Sequence, residues 1–248
     1  MTALRGALAA ESVRLVRSLS TWWCLGTATA LALGSAVLAA RVPEEGRPVT
    51  VLDAVAGLTF GEMILIVLAA LSVTGEYRHG TIRVAFLAVP ERRIVIAAKA
   101  LLMAVIGAAI AICLALASLG VAALAVSGSR HSLAPDTAAE WRQILGMGIV
   151  WAFAAVAGVA VGGVVRNGAA AVSVVLLWSL LVESAVGVLP RVGGAVAGWM
   201  PFTAVGGIVD PETDSRVPLG AVGGTGYAIV VGLGLLSLAM LVTRRQDL

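Results

Sequence analysis

Charged side chains are scarce in this chain of 248 residues. They make up 12% of the sequence, against 60% hydrophobic residues, and the mean hydropathy is +1.01. A soluble domain typically carries about twice that charged fraction. The apolar runs reach lengths of about 20 residues, enough for a helix to cross roughly 30 Å of bilayer hydrocarbon. The composition therefore predicts an all-α membrane protein and excludes a soluble domain.

Residues that commonly carry catalysis or bind metals are also scarce. The only lysine is Lys99, and the two histidines, His79 and His131, are predicted to lie on opposite sides of the membrane. The sequence contains no G-x-x-x-x-G-K-[ST] phosphate loop, H-E-x-x-H motif or G-x-S-x-G motif. Cys24 and Cys113 lie within apolar runs and are interpreted as small hydrophobic residues. The sequence thus predicts no enzyme, no metal site and no cofactor bound to this chain.

Six apolar segments are long enough to span a membrane. We predict that residues 1–248 form a single transmembrane domain, with spans over 22–40, 54–73, 96–126, 144–165, 169–189 and 220–242. A tight turn at Arg166 and Asn167 separates the fourth and fifth spans. Residues 190–219 are too apolar for a free loop, and we predict an extracellular or re-entrant segment. Glycine pairs four residues apart are interpreted as helix-packing positions: Gly57/Gly61, Gly158/Gly162 and Gly220/Gly224.

Residues 1–20 are predicted to form an amphipathic helix at the membrane interface. Leucines recur at helical spacing within roughly 60° of one another, and arginines lie off that stripe: Leu4, Leu8, Leu15 and Leu19, then Arg5, Arg14 and Arg17. A basic helix of this kind favours the anionic cytoplasmic leaflet and makes membrane lipids a predicted partner. A plain cytoplasmic extension of the first span is the alternative.

The distribution of basic residues predicts the orientation in the membrane. The net charge is only +3, from 17 basic and 14 acidic residues, and no nucleic-acid partner is expected. With the N-terminus inside, the cytoplasmic segments hold eleven basic residues and the external segments six. This contrast predicts that both termini are cytoplasmic. One lysine against 16 arginines, with abundant Ala, Gly and Val, is typical of a GC-rich bacterial genome and indicates a bacterial cell membrane.

The segment between the second and third spans, residues 75–95, is the most charged part of the chain between spans. It contains a compact polar motif that is followed by an apolar stretch and by further basic residues: Glu76, Tyr77, Arg78, Gly80, Thr81, Ile82 and Arg83, then Pro90, Arg92, Arg93 and Lys99. On a continuous helix, Glu76 and Arg83 project from one face with His79 between them. Such a face is suited to a groove on a soluble partner, although an ordinary positively charged cytoplasmic loop is the alternative.

These residues resemble the E-Y-R-x-G-T-[IL]-R pattern of ABC-2 type transporter permeases, the membrane-spanning subunits of bacterial ABC exporters. The six-span layout also fits. The resemblance implies that residues 75–95 contain a coupling helix, in which Glu76, Tyr77, Arg78, Gly80, Thr81 and Arg83 contact an ATPase. Two separate ABC ATPase subunits would bind ATP and Mg, and a second permease copy or homologue would complete the path. The expected cargo is a small molecule, drug, peptide or lipid that moves outward.

Two carboxylates are predicted to lie within spans. Glu62 falls in the second span and Glu183 in the fifth. A charge in hydrocarbon costs at least a few kcal/mol, so each is expected to face a cavity or a partner. One interpretation places both on a translocation path, and another makes them structural contacts between helices. An ion- or proton-coupled secondary transporter that uses these two residues is therefore an alternative function. A non-transporting membrane scaffold or sensor is a third.

Overall fold

The protein is an all-α membrane protein. The computed structural model describes residues 2–42, 48–79, 92–126, 133–189 and 193–245, and within those ranges the chain forms helices and turns without strands. Six of the described helical segments are long and apolar enough to cross a membrane: Leu19–Arg41, Val51–Arg78, Ile94–Ala125, Ala138–Val165, Gly168–Gly187 and Gly220–Thr243. The all-α, six-span prediction is confirmed, and we call these segments the first to sixth spans.

The helices extend beyond the predicted apolar cores. The N-terminal helix covers Thr2–Arg17 and is separated from the first-span helix, Leu19–Arg41, by a break at Ser18. The second span consists of Val51–Val55 and Leu58–His79. The remaining long helices are Arg92–Ala125, Ala138–Val165 and Gly220–Arg245, and the fifth span joins Gly168–Leu177, a π-helical stretch Trp178–Val182, and Glu183–Gly187.

Capping explains why the second and fourth spans begin earlier than hydropathy alone predicts. The Thr50 hydroxyl accepts a hydrogen bond from the Asp53 amide, and the Asp53 carboxylate accepts one from the Thr50 amide. Thr137 and Glu140 form the same reciprocal pair at the start of the fourth span. Each pair satisfies amides that the first helical turn leaves without partners. The polar caps therefore start these helices several residues before the apolar sequence.

The fourth span lies at the centre of the bundle. In its apolar stretch of 18 residues, 72% of the residues are buried, whereas the share is only 17% to 22% in the corresponding stretches of the first, fifth and sixth spans. Its glycines allow close contact with the second span: a Cβ atom at Gly158 would lie 2.9 Å from the Ile66 carbonyl oxygen, and one at Gly162 would lie 2.8 Å from that of Ala70. These distances are too short for any side chain. The packing role predicted for this glycine pair is confirmed.

The fourth and fifth spans are joined by the predicted tight turn. Arg166 ends the fourth-span helix in the left-handed conformation, with a φ of 58°, and its amide donates to the Gly162 carbonyl oxygen. The Asn167 side chain then accepts a hydrogen bond from the Ala170 amide and caps the next helix. A left-handed residue at a helix end is usually glycine. Arginine at this position therefore indicates that its side chain has a compensating contact.

The bundle has two ends that differ in their polar contacts. We call the end that holds the N-terminal helix, Glu76 and Arg166 the terminal end, and the other the distal end. At the distal end, the residues between the fifth and sixth spans form three short helices: Gly193–Ala197, Pro201–Gly206 and Pro211–Asp214. The middle one packs on the fourth and sixth spans. This segment is thus folded against the bundle, in keeping with its apolar sequence.

Candidate functional site

Four charged side chains meet at the terminal end. The Lys99 ammonium lies 2.6 Å from the Glu11 carboxylate and 3.0 Å from that of Glu76. Arg14 forms an ion pair with Glu76, and its guanidinium also donates a hydrogen bond of 2.8 Å to the Ser72 carbonyl oxygen. We call Glu11, Arg14, Glu76 and Lys99 the charge cluster. It joins the N-terminal helix to the second span and to the helix of the third.

The charge cluster is balanced, and three of its members are largely withdrawn from solvent, whereas the Arg14 side chain is 43% exposed. Its two carboxylates face two cations, and the Lys99 side chain is only 2% exposed, the Glu76 side chain 7%. A buried charge without a partner costs several kcal/mol, and the attraction between partners offsets this cost only when their geometry is good. Each member of the cluster therefore depends on the others, although they come from three separate helices.

The position of Glu76 differs from the one that spacing predicted. We expected it on one face of a coupling helix together with Arg83, pointing at a soluble partner. Instead the second-span helix continues to His79, and the Glu76 side chain turns inward to Lys99. The physical reason is the pair of cations on neighbouring helices, which local spacing does not reveal. Glu76 is thus buried rather than exposed, and its predicted role in coupling stays a prediction.

Tyr77 also packs inside the protein, against the turn between the fourth and fifth spans. The guanidinium carbon of Arg166 lies 4.8 Å from the centroid of its ring, within the range of a cation–π contact. This contact compensates for the left-handed backbone of Arg166. The neighbouring Arg78 is exposed. Of the predicted coupling residues that the structure describes, Arg78 alone presents its charge to the surroundings.

The rest of the predicted coupling motif lies outside the described residues, and its role stays a prediction. This applies to Gly80, Thr81, Ile82, Arg83 and Pro90. The description resumes at Arg92, where the third-span helix begins with the predicted pair Arg92 and Arg93. Lys99 follows on the same helix. Both sides of the undescribed segment therefore lead directly into residues of the charge cluster.

Glu62 is a buried carboxylate in the second-span helix. Its residue exposure is 8%, and among the described residues it has no hydrogen-bond or ion-pair partner. The like charge of Glu183 acts on it electrostatically. An intramembrane carboxylate in this state is a candidate for binding a proton or a cation. The prediction that Glu62 has a functional role remains open.

Glu183, in contrast, is fully engaged in structural hydrogen bonds. Its two carboxylate oxygens accept from the Trp178 indole, the amides of Phe202 and Thr203, and the Thr203 hydroxyl, at 2.7 to 3.1 Å. The two amides belong to the first turn of the helix Pro201–Gly206, where donors otherwise lack partners. Glu183 therefore caps this helix and attaches it to the fifth span. Of the two roles considered for Glu183, this arrangement favours the structural one.

Two members of the charge cluster were missed in the sequence. Arg14 was interpreted only as part of the basic side of the N-terminal helix, and Glu11 was not singled out. The available signal was an acidic residue on an otherwise basic helix, at the i,i+3 spacing that allows an ion pair with Arg14. That signal is weak, because the partner charges are distant in the sequence: Glu76 lies 62 positions beyond Arg14, and Lys99 lies 88 positions beyond Glu11.

Comparison of the sequence with protein-family profiles and with curated proteins finds no match to this chain. Its function therefore has to be argued from its own residues and their geometry.

Proposed function

We propose that this chain is the membrane-spanning subunit of an ATP-driven exporter. Two separate ABC ATPase subunits bind ATP and Mg, dock on residues 75–95 and supply the energy. A second copy of the chain, or a homologous permease, completes a path between the two membrane subunits. The cargo is a small molecule, drug, peptide or lipid. The proposal rests on the coupling motif in the sequence together with the geometry of the charge cluster.

The position of the charge cluster carries this proposal. Glu76 precedes the undescribed part of the coupling segment and Lys99 follows it, yet their side chains form an ion pair of 3.0 Å. Both also bind the N-terminal helix, Lys99 through Glu11 and Glu76 through Arg14. A force applied to the coupling segment is therefore transmitted to three helices together. A soluble ATPase that docks at the cytoplasmic face needs such a mechanical connection to the membrane spans.

The mechanism follows from these connections. ATP binding closes the two ATPase subunits and displaces the coupling segment. The displacement moves the second span and the third-span helix, which runs unbroken from Arg92 to Ala125. At 34 residues this helix is about 51 Å long, so it reaches from the terminal end beyond the hydrocarbon core to the distal end. The path then opens outward, and ATP hydrolysis restores the starting state.

The proposed setting is the bacterial cell membrane, with both termini in the cytoplasm. Several described basic residues at the terminal end support this orientation: Arg14, Arg17, Arg78, Lys99 and Arg166. Cytoplasmic segments carry an excess of such residues. The terminal end is then the side on which an ATPase meets the chain.

The proposal is tested by purifying the full chain in mild detergent and identifying any ATPase that co-purifies. The complex is then reconstituted, and substrate-stimulated ATPase activity is measured for Arg78→Ala and Arg83→Ala. We expect each variant to insert normally but to lose most of the stimulation. Arg216→Ala is the matched control, because Arg216 is an exposed arginine at the distal end. Full activity of the chain in liposomes without any ATPase would contradict the proposal.

A second candidate function is proton- or cation-coupled transport, and the state of Glu62 favours it over a scaffold. A buried carboxylate without a described partner is the group that such a transporter requires. The test is a flux driven by a pH gradient across liposomes that contain only this chain. Glu62→Gln is expected to abolish such a flux, whereas an ATP-driven exporter shows no flux under these conditions.

A further inference from the structure

A cleft of about 170 Å³ opens between the N-terminal helix and the first, second and third spans. Each of the three spans contributes lining residues over about two helical turns, which gives the cleft a length of about 10 Å along the helix axes. Apolar side chains dominate its walls: Leu15, Val16, Leu25, Leu65, Met103 and Ile106. A cleft of this shape between membrane spans fits a hydrocarbon chain.

Two polar atoms of residues that line the cleft are buried and have no hydrogen-bond partner among the described residues. They are the Thr21 hydroxyl oxygen, at the start of the first span, and the indole nitrogen of Trp151. Trp151 forms the inner wall and is 2% exposed, and it fits there because Gly61 has no side chain. A hydroxyl without a partner in an apolar setting costs about 1–3 kcal/mol. An occupant that brings oxygen atoms to Thr21 removes this cost.

The mouth of the cleft is marked by two side chains suited to a membrane interface. Trp22 is 55% exposed and donates a hydrogen bond of 2.8 Å from its indole to the Val16 carbonyl oxygen. Arg17 is exposed and has no ion pair within the described part of the chain, whereas Arg14 is held by Glu76. Arg17 lies four positions from Thr21, so their Cα atoms are no more than about 15 Å apart. An exposed cation is therefore close enough in the chain to share one phospholipid molecule with the buried hydroxyl.

We propose that the cleft holds part of one acyl chain of an anionic phospholipid. The lipid phosphate binds Arg17, an ester oxygen accepts a hydrogen bond from the Thr21 hydroxyl, and the hydrocarbon fills the cleft inward to Trp151. This lipid secures the N-terminal helix to the spans beside the charge cluster. The inference needs only that the chain is a membrane protein and is independent of the proposed transport function.

Native mass spectrometry of the full chain tests the inference. The protein is reconstituted in nanodiscs of equal parts phosphatidylglycerol and phosphatidylcholine. The lipid that stays bound to the protein after its release from the nanodisc is then identified. We expect one phosphatidylglycerol per chain. Retention should fall about fivefold in Arg17→Gln, which removes roughly 1 kcal/mol of electrostatic attraction. It should also fall in Thr21→Val, which keeps the shape but loses the hydroxyl. Arg5→Gln, an exposed arginine of the same helix, should leave retention unchanged.

Tryptophan fluorescence locates the lipid independently of these substitutions. In variants that retain a single tryptophan, lipids with brominated chains quench those indoles that their chains reach. Trp151 should be quenched by brominated phosphatidylglycerol at low mole fraction, and Arg17→Gln should weaken this quenching. The control is Trp178, which is 43% exposed and should follow the bulk lipid composition in every variant. Equal retention of both lipids, or no quenching of Trp151 while Trp178 responds, would overturn the inference.

Discussion

Lys99 and Glu76 form an ion pair of 3.0 Å inside the protein, although 23 positions of the sequence separate them. This ion pair joins the two helices that flank residues 80–91. Neither charge has free access to solvent, so each stabilises the other. Either charge alone would lower the stability of the folded protein. This interdependence makes the pair open to a direct test.

Removing one member of the pair should destabilise the protein more than removing both. We expect Lys99→Met to lower the free energy of unfolding by about 3 kcal/mol, because Glu76 and Glu11 then lose a buried cation. The double variant Glu76→Met/Lys99→Met should stay close to the wild type, since Glu11 and Arg14 remain as a balanced pair. Reversible unfolding in mixed micelles measures both. Equal losses in the single and double variants would show that a buried Glu76 without Lys99 carries no extra cost.

The left-handed backbone at Arg166 predicts an unusual order of stabilities. Arg166→Gly and Arg166→Ala both lose the cation–π contact with Tyr77. Only the alanine variant must also hold a Cβ atom at a φ of 58°, which costs about 1 kcal/mol. The glycine variant should therefore be the more stable of the two by that amount in thermal unfolding. The reverse order would mean that the turn changes its backbone conformation in response to the substitution.

Contact between the second and fourth spans depends on Gly162. A Cβ atom there would lie 2.8 Å from the Ala70 carbonyl oxygen, so Gly162→Ala should force the helices apart and destabilise the protein by about 1–3 kcal/mol. Gly120→Ala is the matched control, because a Cβ atom at that exposed helical glycine has no described neighbour within 4 Å. We expect it to be neutral or slightly stabilising. The free energies of unfolding of the two variants, measured under the same conditions, test this prediction.

Loss of the Glu183 carboxylate should release the helix Pro201–Gly206. In Glu183→Ala the amides of Phe202 and Thr203 lose their acceptor, and hydrogen exchange in this segment should become roughly tenfold faster. Glu212→Ala changes an exposed glutamate in the same region and should leave exchange at those two amides unaltered. Mass spectrometry of peptides that cover residues 200–205 reports the rates. Unchanged exchange in Glu183→Ala would rule out a capping role.

The sequence predicted the number of spans because hydrophobic length alone determines it. The Arg166–Asn167 turn and the packing of the Gly158/Gly162 pair were predictable for a similar reason, since both depend on local residue types. The inward position of Glu76 was not predictable from spacing, because its partners come from distant parts of the chain. Glu183 illustrates the same limit: the donors that satisfy it lie on a short helix whose existence hydropathy does not indicate.

The capping of Pro201–Gly206 by Glu183 has a mechanical consequence for the distal end. Three hydrogen bonds from Phe202 and Thr203 to Glu183 join this short helix to the fifth span, so we expect the two to move together whenever the bundle rearranges. In the proposed exporter, an exit on that side cannot open by movement of a loop alone. Opening requires the whole fifth span to tilt or rotate. The short helix Pro201–Gly206 then moves with the span and blocks or clears the opening.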